Sequence, residues 1–203
     1  MTALPEIYSE RLTIRQLTLS DLDATFQFSL DAGWVIDSQS ARDAHEKWLT
    51  WTVMNYDALA SLMQPPYGER GITLKDGTLV GMVGVVPVLL PFGILPYYRD
   101  RNIGTLHTSM PEVGLFWSVG KVHRGNGYAT EAAQMLITQL FAQFQLQRIV
   151  AQTDHDNHPS QRVMQRLGMT INKNPNSDPV YVQVVGILEN VQHNTHMENK
   201  DSE

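Results

Sequence analysis

Apolar and polar residues alternate along Leu12-Thr13-Ile14-Arg15-Gln16-Leu17, which predicts a first strand with one buried face. Ser20 then reads as the cap of a helix, with Asp21 and Asp23 in its first turn and Leu22, Phe26 and Leu30 as its apolar stripe, closed by Asp31-Ala32-Gly33. A second helix is predicted from Ala41 to about Met63, capped by Ser38 or Ser40. Its expected inner face is Trp48, Leu49, Trp51, Thr52, Leu59 and Leu62. Pro65-Pro66-Tyr67-Gly68 breaks that helix, and two extended runs, Arg70 to Leu74 and Thr78 to Val86, flank an Asp76-Gly77 turn that marks a hairpin. From Pro87 to Pro111 the pattern becomes irregular, with four prolines and the cluster Tyr97-Tyr98-Arg99-Asp100-Arg101. This stretch reads either as a loop facing substrate or a dimer partner, or as an ordinary excursion.

The apolar run Val113-Gly114-Leu115-Phe116-Trp117-Ser118-Val119 predicts a buried strand, and apolar residues return at helical spacing from Ala129 to Phe144. Arg148 to Thr153 is a further strand, and Asp154 to Pro159 is a polar loop. Ser160 is placed to cap a short helix carrying Val163, Met164 and Leu167 before Gly168. Val180 to Leu188 is expected as the last strand, with a polar, disordered tail from Glu189. The order is strand, two helices, hairpin, strand, helix, strand, helix, strand: an α+β chain with one sheet and helices around it.

Composition narrows the function classes. At 203 residues and 42% hydrophobic the chain fits one globular domain, expected over residues 1–188. A net charge of -6 lacks the basic excess of a nucleic-acid platform. Zero cysteines exclude disulfides, thiolate metal sites and a cysteine nucleophile. No apolar stretch approaches membrane-spanning length and no secretory signal pattern opens the sequence, so a cytoplasmic protein without nucleic-acid or membrane partners is expected. Three of the four tryptophans lie between Trp34 and Trp51, a bulky block suited to core packing or to lining a substrate surface.

The candidate chemistry centres on Val119 to Glu131, Val-Gly-Lys-Val-His-Arg-Gly-Asn-Gly-Tyr-Ala-Thr-Glu, where a strand feeds a helix through a glycine-rich turn. Gly125 and Gly127 can take positive φ, so consecutive N–H groups can point at one oxyanion beside the positive end of the helix dipole. That is a phosphate cradle. It has neither the Gly-Lys-Ser/Thr of a P-loop nor the third glycine of a dinucleotide fingerprint.

Arg124-x-x-Gly127-x-Ala129 resembles the Arg/Gln-x-x-Gly-x-Gly/Ala signature of the GNAT superfamily of N-acetyltransferases. Ser9 to Arg15, Pro111 to Trp117, Arg124 to Ala132, Asn157-x-x-Ser160 and Arg166 to Met169 resemble in particular its RimJ/RimL-like branch, the ribosomal-protein alanine N-acetyltransferases. The resemblance covers nearly the whole domain. It implies a mixed, mostly antiparallel sheet splayed at the cofactor site, and acetyl-CoA as cosubstrate with no metal. The pantetheine arm would pair with backbone of Trp117 and Val119, and the pyrophosphate with N–H groups of Arg124, Gly125, Asn126, Gly127, Tyr128 and Ala129. Thr130 and Asn157 would add contacts.

The implied reaction is direct transfer of acetyl to an amine on a small molecule or a protein N-terminus, by a monomer or homodimer. Glu112 matches the family's acidic strand residue and would be the base; alone, it reads equally as a solvated acid opening a strand. Ser160 stands where the branch places a serine that meets the departing sulfur; alone, it reads as a helix cap. The family's tyrosine acid falls on Met164, which cannot donate a proton. That departure keeps open an alternative, a non-catalytic CoA-binding regulatory module on the same fold. His123, His155 and His158 lack metal-ligand spacing.

Overall fold

A computed structural model describes residues 4–106, 108–176 and 178–190. Its strands form one mixed sheet in the order β1 (Ile7–Tyr8), β2 (Leu12–Gln16), β3 (Gly68–Leu74), β4 (Leu79–Leu90), β5 (Met110–Val119), β6 (Arg148–Thr153), β8 (Val184–Glu189), β7 (Thr170–Lys173). The chain packs as two compact units, Met1–Val86 with Phe116–Leu136, and Pro87–Leu115 with Ile137–Glu203.

The first unit holds β1 (Ile7–Tyr8), β2 (Leu12–Gln16), α1 (Leu22–Asp31), α2 (Gln39–Ser61), β3 (Gly68–Leu74) and the start of β4 (Leu79–Leu90). It also holds the end of β5 (Met110–Val119) and the first turns of α4 (Tyr128–Phe144). β2 pairs antiparallel with β3 from Leu12↔Leu74 to Gln16↔Arg70, and Leu12, Ile14 and Ile72 are fully buried, as the alternation requires. The Asp76-Gly77 turn forms as predicted: Gly77 has φ +90°, and the Asp76 carboxylate accepts the Thr78 N–H at 2.9 Å. Gly81 lets β4 approach β5, since a Cβ there would lie 2.4 Å from the Ser118 carbonyl oxygen.

Two helical readings are corrected. Ser20 lies within a 3-10 turn, Leu19–Asp21, that precedes α1. Its place as anchor is taken by Asp21, whose carboxylate accepts the Thr18 N–H at 2.8 Å and is gripped by both terminal nitrogens of Arg15 at 2.8 Å. Ser38 does cap α2, accepting from the Ala41 N–H at 3.2 Å. However, the buried face of α2 is His45, Leu49, Thr52 and Tyr56, a spacing of four, three and four. Trp51 and Leu62 therefore point outward, 58% and 66% exposed. Leu49 packs with Leu17, Phe28 and Met82, flanked by Trp48 and Phe116.

The second unit holds α3 (Pro96–Arg99), the start of β5, β6 (Arg148–Thr153), α5 (His158–Arg166), β7 (Thr170–Lys173) and β8 (Val184–Glu189). β5 meets β6 in parallel at Gly114↔Val150, and β6 pairs antiparallel with β8 from Arg148↔Glu189 to Thr153↔Val184. The stretch from Pro87 to Pro111 is no structureless loop. β4 continues to Leu90, Phe92–Ile94 makes a 3-10 turn, and α3 follows with Pro96 in its first turn, where its missing N–H costs nothing. Phe92, Leu95 and Tyr98 are fully buried and form the core of this unit with Val150, Val185 and Ile187.

The last strand begins at Val184 rather than Val180, because Val182 N–H turns back to the Pro179 carbonyl at 2.9 Å. Glu189 belongs to β8, and Asn190 is buried, donating from its side chain to the Leu146 carbonyl at 3.0 Å. Glu189 and Asn190 therefore do not belong to the tail expected from Glu189, and residues 191–203 lie outside the described residues. Among the described residues no helix is long and apolar enough to cross a membrane.

Candidate functional site

The cradle lies in the first unit. β5 ends at Val119, Gly120 N–H bonds the Val80 carbonyl at 3.0 Å, and a 3-10 turn, Lys121–His123, leads to Arg124 in extended conformation. Gly125 and Gly127 follow at φ +84° and +81°, the left-handed region that strains other residues. A Cβ on Gly125 would meet nothing within 4 Å, and one on Gly127 only the end of Arg11 at 3.8 Å. The glycines thus serve backbone conformation, and the face above them is open.

Helix α4 then starts at Tyr128, held by the buried positions Ala132, Ala133, Leu136, Ile137 and Leu140. The Glu131 N–H returns to the Gly127 carbonyl at 3.1 Å, but the N–H groups from Gly125 to Thr130 donate to no described residue. Six consecutive donors at the positive end of a 17-residue helix are what an oxyanion requires. The Thr130 hydroxyl beside them also has no described partner.

The cradle is braced by side chains. Arg124, expected to offer its N–H to a ligand, turns its guanidinium back to the carbonyls of Val119 and Asp31, both at 3.0 Å. The Asp31 carboxylate accepts the Lys121 N–H at 2.6 Å and the Gln27 amide at 2.9 Å, which holds it below the usual carboxylate range, the Lys121 bond foremost. Asn126 caps the turn through its amide to the His123 carbonyl at 3.0 Å. From β2's approach, Arg11 reaches the Asn126 carbonyl at 3.2 Å and grips Glu131, which also accepts from Ser9 at 2.6 Å. The same guanidinium lies 5.3 Å over the Tyr128 ring. Ser9, Arg11 and Asp31 carry no motif of their own, and separations of 90 to 122 residues hide such braces from local pattern. On β5, Trp117 is half-buried and Ser118 buried.

The second unit holds the remaining candidates. Glu112 is no solvated acid: its side chain is 6% exposed, and its Oε1 accepts from Arg148 Nε at 2.6 Å and from the Tyr98 hydroxyl at 3.0 Å. Burial, then the Glu112 charge, pushes the Tyr98 phenol far above its ordinary value, so it stays protonated. Tyr97 behaves alike, pushed up to about 12 by burial and by its bond to Glu189.

At α5 the roles of two residues exchange. Asn157 is the cap, accepting the Ser160 N–H at 3.2 Å, so Ser160 is an interior first-turn residue whose hydroxyl has no described partner. Met164 is fully buried, packed where a Cβ on Gly186 would touch its sulfur at 3.1 Å. Among the described residues no group of three or more His, Asp or Glu is placed to hold a metal ion.

Comparison with known proteins gives the framework for these parts. The Acetyltransferase (GNAT) domain family matches residues 11–170. YnaD of Bacillus subtilis (strain 168), an uncharacterized N-acetyltransferase, is 40% identical over 167 residues, which cover 80% of this chain and 81% of YnaD. The solved acetyltransferase of Agrobacterium tumefaciens str. C58 aligns with a TM-score of 0.64 at 25% identity, over 94% of this chain and 97% of that one. RimL, a ribosomal L7/L12 alpha-N-protein acetyltransferase solved with coenzyme A, shares the fold at a TM-score of 0.59 and 16% identity, over 90% and 96% of the two chains. With the family's domain matched from the first long strand through α5, this chain belongs to the GNAT acetyltransferases and is an acyltransferase enzyme.

Proposed function

We propose that the protein transfers acetyl from acetyl-CoA directly to a primary amine, on a small molecule or a protein N-terminus. The observation that carries the donor assignment is the run of unpartnered N–H groups from Gly125 to Thr130, spanning two left-handed glycines at the start of α4. A pyrophosphate supplies the acceptor oxygens that this run lacks. Gly125, Asn126, Gly127, Tyr128 and Ala129 hold it through backbone, while Arg124, whose N–H donates to the Lys121 carbonyl at 3.4 Å, braces the turn; Thr130 and Asn157 add side-chain contacts and Trp117 and Val119 meet the pantetheine arm. RimL, solved with coenzyme A, supports a fold of this kind accepting that donor.

The reaction needs a neutral amine, a polarised thioester carbonyl and a proton for the departing thiolate. The amine nitrogen bonds to the acetyl carbon, the carbon–sulfur bond breaks, and no enzyme acyl intermediate forms. Ser160 is our candidate for the hydroxyl that meets the sulfur, because Asn157 relieves it of capping. Glu112 is our candidate base through Oε2, since Oε1 already accepts from two donors.

Thiol release from acetyl-CoA, followed across a panel of primary amines, tests this reading. Amine-dependent CoA release with matching acetylated product is expected. A donor that binds without transfer to any amine would favour the non-catalytic module instead.

A further inference from the structure

The first unit contains a cavity of about 370 Å³ whose walls include Trp34, Trp48, Phe116, His45 and Glu69. Its volume suits a small organic group. The Trp34 and Phe116 rings stand 5.6 Å apart at 41°, and Trp48 lies tilted against His45 at 4.6 Å, so two aromatic pairs line the space. Phe116 lies on β5 three residues before Val119, on the strand that runs into the cradle.

Among the described residues Glu69 is the only acid on this wall, and its charge is not matched by a described group. Apart from its own backbone N–H, no described group donates to its carboxylate. Neighbouring Arg70 points to the other face of β3, with its guanidinium 5.3 Å over the Tyr56 ring. His45 Nε2 bonds Thr25 Oγ1 at 2.9 Å, and burial lowers its proton affinity, so the cavity presents a neutral imidazole. Burial correspondingly raises that of Glu69. A carboxylate in such surroundings is stabilised most by a cation that arrives with a ligand.

We propose that this cavity binds a primary ammonium carried on an apolar stem, with Glu69 as the counter-charge and Trp34, Trp48 and Phe116 as the walls. Taken with the transferase reading above, on which only this identification rests, the ligand is the acetyl acceptor, whose ammonium gives its proton to the base of that reaction before the neutral amine attacks. An acceptor with an apolar segment next to its amine then fits better than a polyhydroxylated amine.

The test is independent of acetyl transfer. Trp34 and Trp48 report occupancy, so intrinsic tryptophan fluorescence is titrated with n-hexylammonium chloride and with 1-hexanol, which has the same stem without charge. The ammonium is expected to bind at least about tenfold tighter than the alcohol, consistent with a partly buried charge-assisted contact. Glu69→Gln should remove that preference while keeping the alcohol's affinity and the acetyl-CoA affinity. Equal binding of the two probes by the native protein, or a preference that persists in Glu69→Gln, overturns the proposal. Loss of acetyl-CoA binding by the native protein would instead overturn the donor assignment and leave the cavity's ligand class standing.

Discussion

Glu112 shows how one residue type can satisfy the sequence for one reason and the structure for another. The acid at the start of β5 was legible, but its burial against Arg148 and Tyr98 was not, because Arg148 is 36 residues away and Tyr98 sat in a stretch read as a loop. The structure assigns it an ion pair between the third residue of β5 and the first residue of β6, two parallel strands. Glu112→Gln leaves a guanidinium only 12% exposed without its counter-charge, a loss of about 3–5 kcal/mol, read as a lower melting temperature. If Glu112 is also the base, kcat falls well below the folded fraction; activity that tracks the folded fraction would confine Glu112 to the ion pair.

Asn157 and Ser160 are the complementary pair at this scale. Asn157→Ala should cost about 1 kcal/mol by removing the cap, whereas Ser160→Ala should leave thermal unfolding within about 0.5 kcal/mol of native and lower kcat. A large stability loss in Ser160→Ala would restore the capping role read from sequence. The sequence offered both residues; only the direction of the bond between them decides which one caps.

Among elements, the turn between β5 and α4 was the most legible, because left-handed glycines, helix periodicity and a preceding apolar strand all have local signatures. Its braces had none. Asp31 ends α1 yet fixes Lys121, and its depressed carboxyl gives the tie a pH dependence. A folded-state value below the unfolded one means the stabilisation is present above the ordinary carboxylate range and is lost as pH falls through the folded value. Asp31→Asn should therefore lower the melting temperature at pH 7, with the difference shrinking as pH falls below the ordinary carboxylate range. A difference constant with pH would show that charge on Asp31 is not what holds the turn.

The stretch from Pro87 to Pro111 failed as a sequence reading for an identifiable reason. Prolines at a strand's end and in a helix's first turn look the same as prolines in a loop until the aromatic residues between them are seen to be buried. β7, four residues of mixed polarity at the edge of the strand order, was too short to show a period at all.

For the molecule as a whole, the order of elements carried most of the fold, and the family match agrees with it from Arg11 to Thr170. Long-range bonds and the division into two packed units were beyond local pattern, since they depend on contacts and not on neighbours in sequence. The central claim is that the turn after β5 holds the pyrophosphate of acetyl-CoA. Calorimetric titration of acetyl-CoA beside acetyl-pantetheine, which lacks the pyrophosphate, tests it most directly. Two charge-assisted contacts predict that acetyl-CoA binds about 100-fold tighter, and that Gly127→Asp, which places a negative side chain in the cradle, removes that advantage. Equal affinities for the two thioesters, or an advantage untouched in Gly127→Asp, would contradict it.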